Sequence, residues 1–153
     1  GRTTKYEHDL MAGNYRMDAI QAAVLNVKLK YISDWTDNRI QAAAYYDTTL
    51  KENGFKVIDV DAGAKCVYHL YIVEVSNREE VMSSLKEKGI STGIHYPIPM
   101  HLQPACHYLG YKRGDFPVSE RTADRIMSLP VFPEITREQQ DYILKNFLEI
   151  AKR

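Results

Sequence analysis

The chain has 153 residues, 44% hydrophobic and 26% charged. These ordinary figures exclude a disordered, collagen-like or fibrous protein and allow one real core. Twenty Lys+Arg balance twenty Asp+Glu, so there is no global positive field to gather nucleic acid or anionic lipid.

In chain order, the first signal is GNYRMD at Gly13 to Asp18, where Asn14 is placed to cap a helix. Ile20, Val24, Val27 and Tyr31, with Leu25, Leu29 and Ile32 beside them, predict a helix over 17–31 with one broad apolar face. Ser33-Asp34 reads as the N-cap of a second helix, running from Trp35 to Glu52 and stopped by Gly54, with Trp35, Ile40, Ala43, Tyr46 and Leu50 on its inner face.

Beyond Gly54 the period becomes alternating. FKVIDV reads as a short strand and VYHLYIVEV as a longer one, both of whose faces are largely apolar, which predicts a central strand covered on each side. Asn77 opens a helix, REEVMSSLKEK, whose early Glu79 and Glu80 and late Lys86 and Lys88 suit the helix dipole before Gly89 ends it. ISTGIHY reads as a further strand, cut off by Pro97, Pro99 and Pro104.

Residues 97–115 form a predicted irregular loop, long enough to imply a purpose. A short helix from Val118 to Met127 with Ser119 near its cap, an extended SLPVFP and a closing amphipathic helix from Thr136 to Lys152 complete the reading. The expected fold class is α+β: two long leading helices, then a small sheet covered by helices.

No uncharged apolar run approaches the roughly 18 residues of a membrane span, and GRTTKYEHDL has no signal-peptide core, so the expectation is a soluble, cytoplasmic protein. Cys66 and Cys106 form no C-x-x-C pair and are read as reduced thiols. The histidines at 8, 69, 95, 101 and 107 have no ligating spacing, so no metal is expected. Neither G-x-G-x-x-G nor a phosphate-loop motif occurs.

Two polar constellations remain. His95 and Tyr96, just before a rigid proline turn, present two rings at a fixed place, suited either to a ligand or to packing. Asn14 and Arg16 are either a cap and a surface ion-pair partner, or an amide and a guanidinium aimed at an anion. The eleven tyrosines against four phenylalanines suit interfaces and polar pocket walls.

Three separated blocks, GNYRMDAIQAAVLNVKL, VYHLYIV and GISTGIHYPIPMHLQPACHYLGYKRGDFPVSERTADRIMSLPVFPEIT, resemble the C-terminal part of the DegT/DnrJ/StrS family of pyridoxal-phosphate-dependent sugar aminotransferases. The resemblance implies the small domain of a fold-type I enzyme that moves an amino group from glutamate or a similar donor onto a nucleotide-linked keto sugar. It implies pyridoxal 5'-phosphate as cofactor, a homodimer partner, and a large domain N-terminal to these residues. Residues 1–54 are then the leading segment that links to that domain, and 55–153 the small domain.

By the same resemblance Asn14 reaches the cofactor phosphate of the neighbouring subunit, and Arg16 supports that anion or the substrate phosphates. His95 and Tyr96 lie near the sugar, with His101 a further candidate. The Schiff-base lysine belongs to a serine- and glycine-containing segment that does not occur here, and Lys5 lacks that context. No catalytic residue is therefore assigned, and the 153 residues alone are expected to be inactive. The alternative is a free-standing nucleotide-sugar-binding or dimerisation module without catalysis.

Overall fold

Asp18 starts the first helix: its carboxylate accepts the Gln21 N–H at 2.8 Å, and α1 runs from Ala19–Lys28. In this computed structural model the described residues are all but 1–3, 5, 6, 8, 14 and 153. Asn14, the expected cap, therefore lies outside them. The chain divides into two compact units, Gly1–Ser33 and Asp34–Arg153.

In the first unit α1 tightens into a 3-10 turn at Leu29–Tyr31. No residue of α1 is buried, and its predicted apolar face, including Ile20, Val24, Val27 and Tyr31, is exposed. Helix α2, Ile32–Glu52, follows without a break, so Ser33 and Asp34 lie inside its first turn and do not cap it. Uninterrupted helical backbone bonding has outweighed a local capping preference there.

The second unit has its core between α2, α3 (Arg78–Glu87), α5 (Arg137–Ala151) and a small sheet. Ala43, Tyr46 and Leu50 project from α2 at helical spacing. They meet Tyr71, Val73 and Val75, then Val81 and Leu85 of α3, and Ile143, Leu144 and Phe147 of α5. Gly54, at φ 81°, closes α2 as predicted: Phe55 N–H donates to Leu50 O at 3.0 Å and Gly54 N–H to Lys51 O at 3.0 Å. That turn delivers Phe55 onto Phe147, ring centroids 5.0 Å apart.

Buried tyrosines keep their hydroxyls bonded. Tyr46 donates to Pro130 O at 3.0 Å and Tyr71 to Asp47 Oδ1 at 2.6 Å, their rings 4.8 Å apart. Burial pushes both phenols well above their usual range, and the Asp47 carboxylate adds to the effect on Tyr71.

The sheet is shorter than its three predicted strands. Only β1, Tyr71–Glu74, and β2, Ile126–Leu129, form a ladder, antiparallel with Tyr71 opposite Leu129 and Val73 opposite Met127. FKVIDV contributes a single bridge, Val57 to Val73, and ISTGIHY another, Gly93 to Ser128. These bridges flank the ladder, Val57 beside β1 and Gly93 beside β2, so β1 is internal as expected, with β2 on one side and a single pair to Val57 on the other.

The long VYHLYIVEV run fails upstream because Tyr68 adopts φ 48°, a left-handed backbone that ends an extended run. Arg39 holds that corner, Nη1 donating to Tyr68 O at 3.4 Å and Val131 O at 3.0 Å. Helix α4, Pro117–Arg125, begins at a proline after Phe116 and not at Ser119, and its last predicted residues belong to β2. The closing helix carries a capping box in which Gln139 N–H donates to Thr136 Oγ1 and Thr136 N–H to Gln139 Oε1. The predicted irregular loop contains two 3-10 turns, Met100–Leu102 and Pro104–Leu109. Among the described residues no helix is long and apolar enough to cross a membrane.

Candidate functional site

The Gly93 to Ser128 bridge sets the site. Ser128 N–H donates to Gly93 O at 2.8 Å and Gly93 N–H to Ser128 O at 3.2 Å. Two residues on, the His95 ring turns back toward this bridge, its Nδ1 2.9 Å from Ser128 Oγ. A groove of about 280 Å³ opens there, lined by residues that include His69, Ser91, Thr92, His95, Ser128 and Pro130. The groove offers imidazoles and hydroxyls, groups suited to sugar hydroxyls, and no formally charged side chain lines it.

The chain then leaves the sheet. Tyr96 takes φ 58° and is 84% exposed, so its ring stands in solvent. Left-handed backbone at a non-glycine residue is costly and concentrates at functional positions.

His101 is placed differently. It is 9% exposed, and its Nε2 lies 2.9 Å from Glu120 Oε1. Its ring packs 4.7 Å from that of Phe116, which in turn meets Tyr111 at 5.0 Å. Glu120 also accepts the Gly114 N–H at 2.8 and 3.0 Å and the Phe116 N–H at 3.4 Å. Burial pushes the Glu120 carboxyl up, but the bonds from Gly114, His101 and Phe116 outweigh it and hold the group below its usual range. This cluster ties the long loop to the first turn of α4.

Of the residues singled out from sequence, His95 lines the groove, Tyr96 is the exposed residue after it and is not among the groove's lining, and His101 is engaged with Glu120. Arg16 is exposed in the first unit, and Asn14 lies outside the described residues. Sequence reasoning missed Ser128, His69 and Thr92 as groove residues. Ser128 sits 33 positions from His95 inside an apolar stretch, and only the long-range bridge to Gly93 brings the two together. Cys66 and Cys106 are free thiols, both half-buried.

A model of the DegT/DnrJ/EryC1/StrS aminotransferase family matches residues 1–148. The chain belongs to this family. A pleiotropic regulatory protein of Geobacillus stearothermophilus is 41% identical, the match covering 99% of this chain and 42% of that protein. The dTDP-3-amino-3,6-dideoxy-alpha-D-galactopyranose transaminase of Aneurinibacillus thermoaerophilus is 37% identical over 95% of this chain and 39% of its own length. Among solved structures, S. venezuelae DesV in complex with a ketimine intermediate superposes with a TM-score of 0.90 and 33% identity, covering 99% of this chain and 41% of that one. The chain thus spans about two fifths of the length of these relatives, and its α+β architecture is that of the C-terminal part of family members.

Aminotransferases of this family depend on pyridoxal 5'-phosphate. The His95 groove does not by itself make a seat for that cofactor. The His95 groove has neither a cation for a phosphate nor a carboxylate for a pyridine nitrogen, and no lysine lines it.

Proposed function

We propose that these residues are the C-terminal part of a pyridoxal-phosphate-dependent aminotransferase that acts on a nucleotide-linked keto sugar, taking the amino group from glutamate or a similar donor. The observation that carries this reading is the His95 groove: an imidazole fixed against the sheet and flanked by hydroxyls, with an exposed Tyr96 next in the chain, in a chain matched to the family over 1–148.

In this reading His95 and Tyr96 contact the sugar nucleotide, while His101, through Glu120, sets the loop that follows them. Asn14 reaches across a homodimer to the neighbouring subunit's cofactor phosphate, with Arg16 supporting the same anion or the substrate phosphates. The bound cofactor supplies the electron sink for amino transfer. These residues supply binding and orientation, and the lysine that would hold the cofactor and move the proton lies elsewhere in the full-length protein.

Residues 1–54 serve as the leading segment joined to a large N-terminal domain, and 55–153 as the small domain. The uncovered apolar face of α1 supports this, because an exposed stripe of that kind marks a surface built to meet another. The two free thiols suit a cytoplasmic location.

The test uses the full-length protein. Asn14→Ala should weaken cofactor retention on dialysis, and His95→Ala should raise KM for the keto sugar about tenfold, the upper value of one neutral hydrogen bond. Unchanged cofactor affinity in the first and unchanged KM in the second would overturn the assigned roles.

A further inference from the structure

We infer that Ser128 and Gly93 are positioning residues for His95, a hydroxyl and a missing side chain that together set the imidazole so that Nε2 is the nitrogen offered to a ligand in the groove. The inference rests on the reading of His95 as a substrate contact and goes one layer behind it.

Three observations converge. Ser128 is 7% exposed on the internal strand β2, and its Oγ lies 2.9 Å from His95 Nδ1. Its own backbone is fixed by the paired bonds to Gly93 on one side and by the ladder position opposite Ile72 on the other. The hydroxyl therefore starts from a rigid base, and a rigid second layer is what holds a functional ring within a few tenths of an ångström.

Gly93 supplies the third element. A Cβ built on it would lie 3.1 Å from His95 Cε1, and 3.8 and 3.9 Å from the two ring nitrogens. The ring thus rests with its Cε1 edge against the glycine, in space that any side chain would contest. Nδ1 is taken by Ser128, whereas Nε2 has no hydrogen-bond partner among the described residues. A hydroxyl both donates and accepts, so in either tautomer the Ser128 contact occupies Nδ1, sets the ring's rotamer and leaves Nε2 as the nitrogen shown to the groove.

The composition of the groove says what that nitrogen meets. With His69, Ser91 and Thr92 around it and no formally charged side chain, the chemistry fits a neutral polyhydroxylated ring.

The test compares wild type, Ser128→Ala, Ser128→Thr and Gly93→Ala. In the 153-residue chain, the nuclear Overhauser contact between His95 Hε1 and the Gly93 α-protons reports the ring position, and long-range proton–nitrogen spectra report which nitrogen is protonated. Wild type should show the contact. Ser128→Ala and Gly93→Ala should lose it and shift the ring nitrogens, and Ser128→Thr, which keeps the hydroxyl, should restore both. A ring contact and nitrogen pattern unchanged in Ser128→Ala would overturn the inference. In the full-length protein Ser128→Ala should raise KM for the keto sugar about three- to tenfold, the size of one neutral hydrogen bond, and leave kcat nearly unchanged. If the ring moves but neither Ser128→Ala nor His95→Ala changes KM, positioning stands and the substrate reading of His95 falls.

Discussion

Phe147→Ala is expected to destabilise the Asp34–Arg153 unit by about 3–5 kcal/mol, measured as a shift in urea unfolding at constant slope. Phe147 is fully buried at 0% exposure. It stands in the cluster where α2, the β1/β2 ladder, α3 and α5 meet, with the Phe55 ring 5.0 Å away. Removing the ring forfeits its transfer free energy and leaves a cavity among the packed elements, which relax into it only in part. A domain of this size holds only about 5–15 kcal/mol in total, so the variant should lose a large fraction of its stability. A loss below about 1 kcal/mol would mean that the core lies elsewhere. By contrast, exposed ion pairs such as Lys51–Asp59 and Arg113–Asp124, at 3.8 and 3.9 Å, should give at most a few tenths of a kcal/mol.

Glu120→Ala should release the loop that follows the groove. One carboxylate accepts from the His101 ring, the Gly114 N–H and the Phe116 N–H, so its removal leaves three donors without their acceptor. Amide exchange at Gly114 and Phe116 should accelerate sharply while exchange in α5 stays slow. Glu120→Gln, which keeps an acceptor oxygen but no charge, should lie between. Equal protection of both amides in wild type and Glu120→Ala would contradict the anchoring role.

The pH dependence has a definite sign. The folded Glu120 carboxyl titrates below its ordinary value, despite a burial effect in the opposite direction, because the bonds from Gly114, His101 and Phe116 favour the carboxylate. Its contribution is therefore fully present above the ordinary glutamate range and is lost as pH falls through the lowered folded value. Loop protection should decline on acidification in wild type and be insensitive to pH over that window in Glu120→Gln.

The helices were legible in the sequence and the sheet was not. Gly54 and the Thr136–Gln139 capping box mark helix ends with local chemistry, and the Ala43, Tyr46 and Leu50 spacing marks a buried face. Each of these signals lies within a few residues. Strand length depended on partners far along the chain. Tyr68 and Tyr96 carry β-favouring side chains, yet both adopt left-handed backbone because Arg39 and the proline turn dictate the path. Alternation therefore named the right segments but overestimated their pairing.

The site divided in the same way. His95 and Tyr96 stood out because a proline turn follows them, whereas Ser128 gave no local signal, being 33 residues away. His101 was only a further candidate, and its partner Glu120 is 19 positions on in α4, so only the fold shows that its imidazole is engaged there.

The most direct measurement follows 2-oxoglutarate release from glutamate, with pyridoxal 5'-phosphate and a panel of dTDP- and UDP-linked keto sugars. It compares the 153-residue chain with the full-length protein. Turnover is expected from the full-length protein with at least one keto sugar, and none above the blank from the 153-residue chain. Amino transfer by the 153 residues alone, or none by the full-length protein with any of the panel, would contradict it.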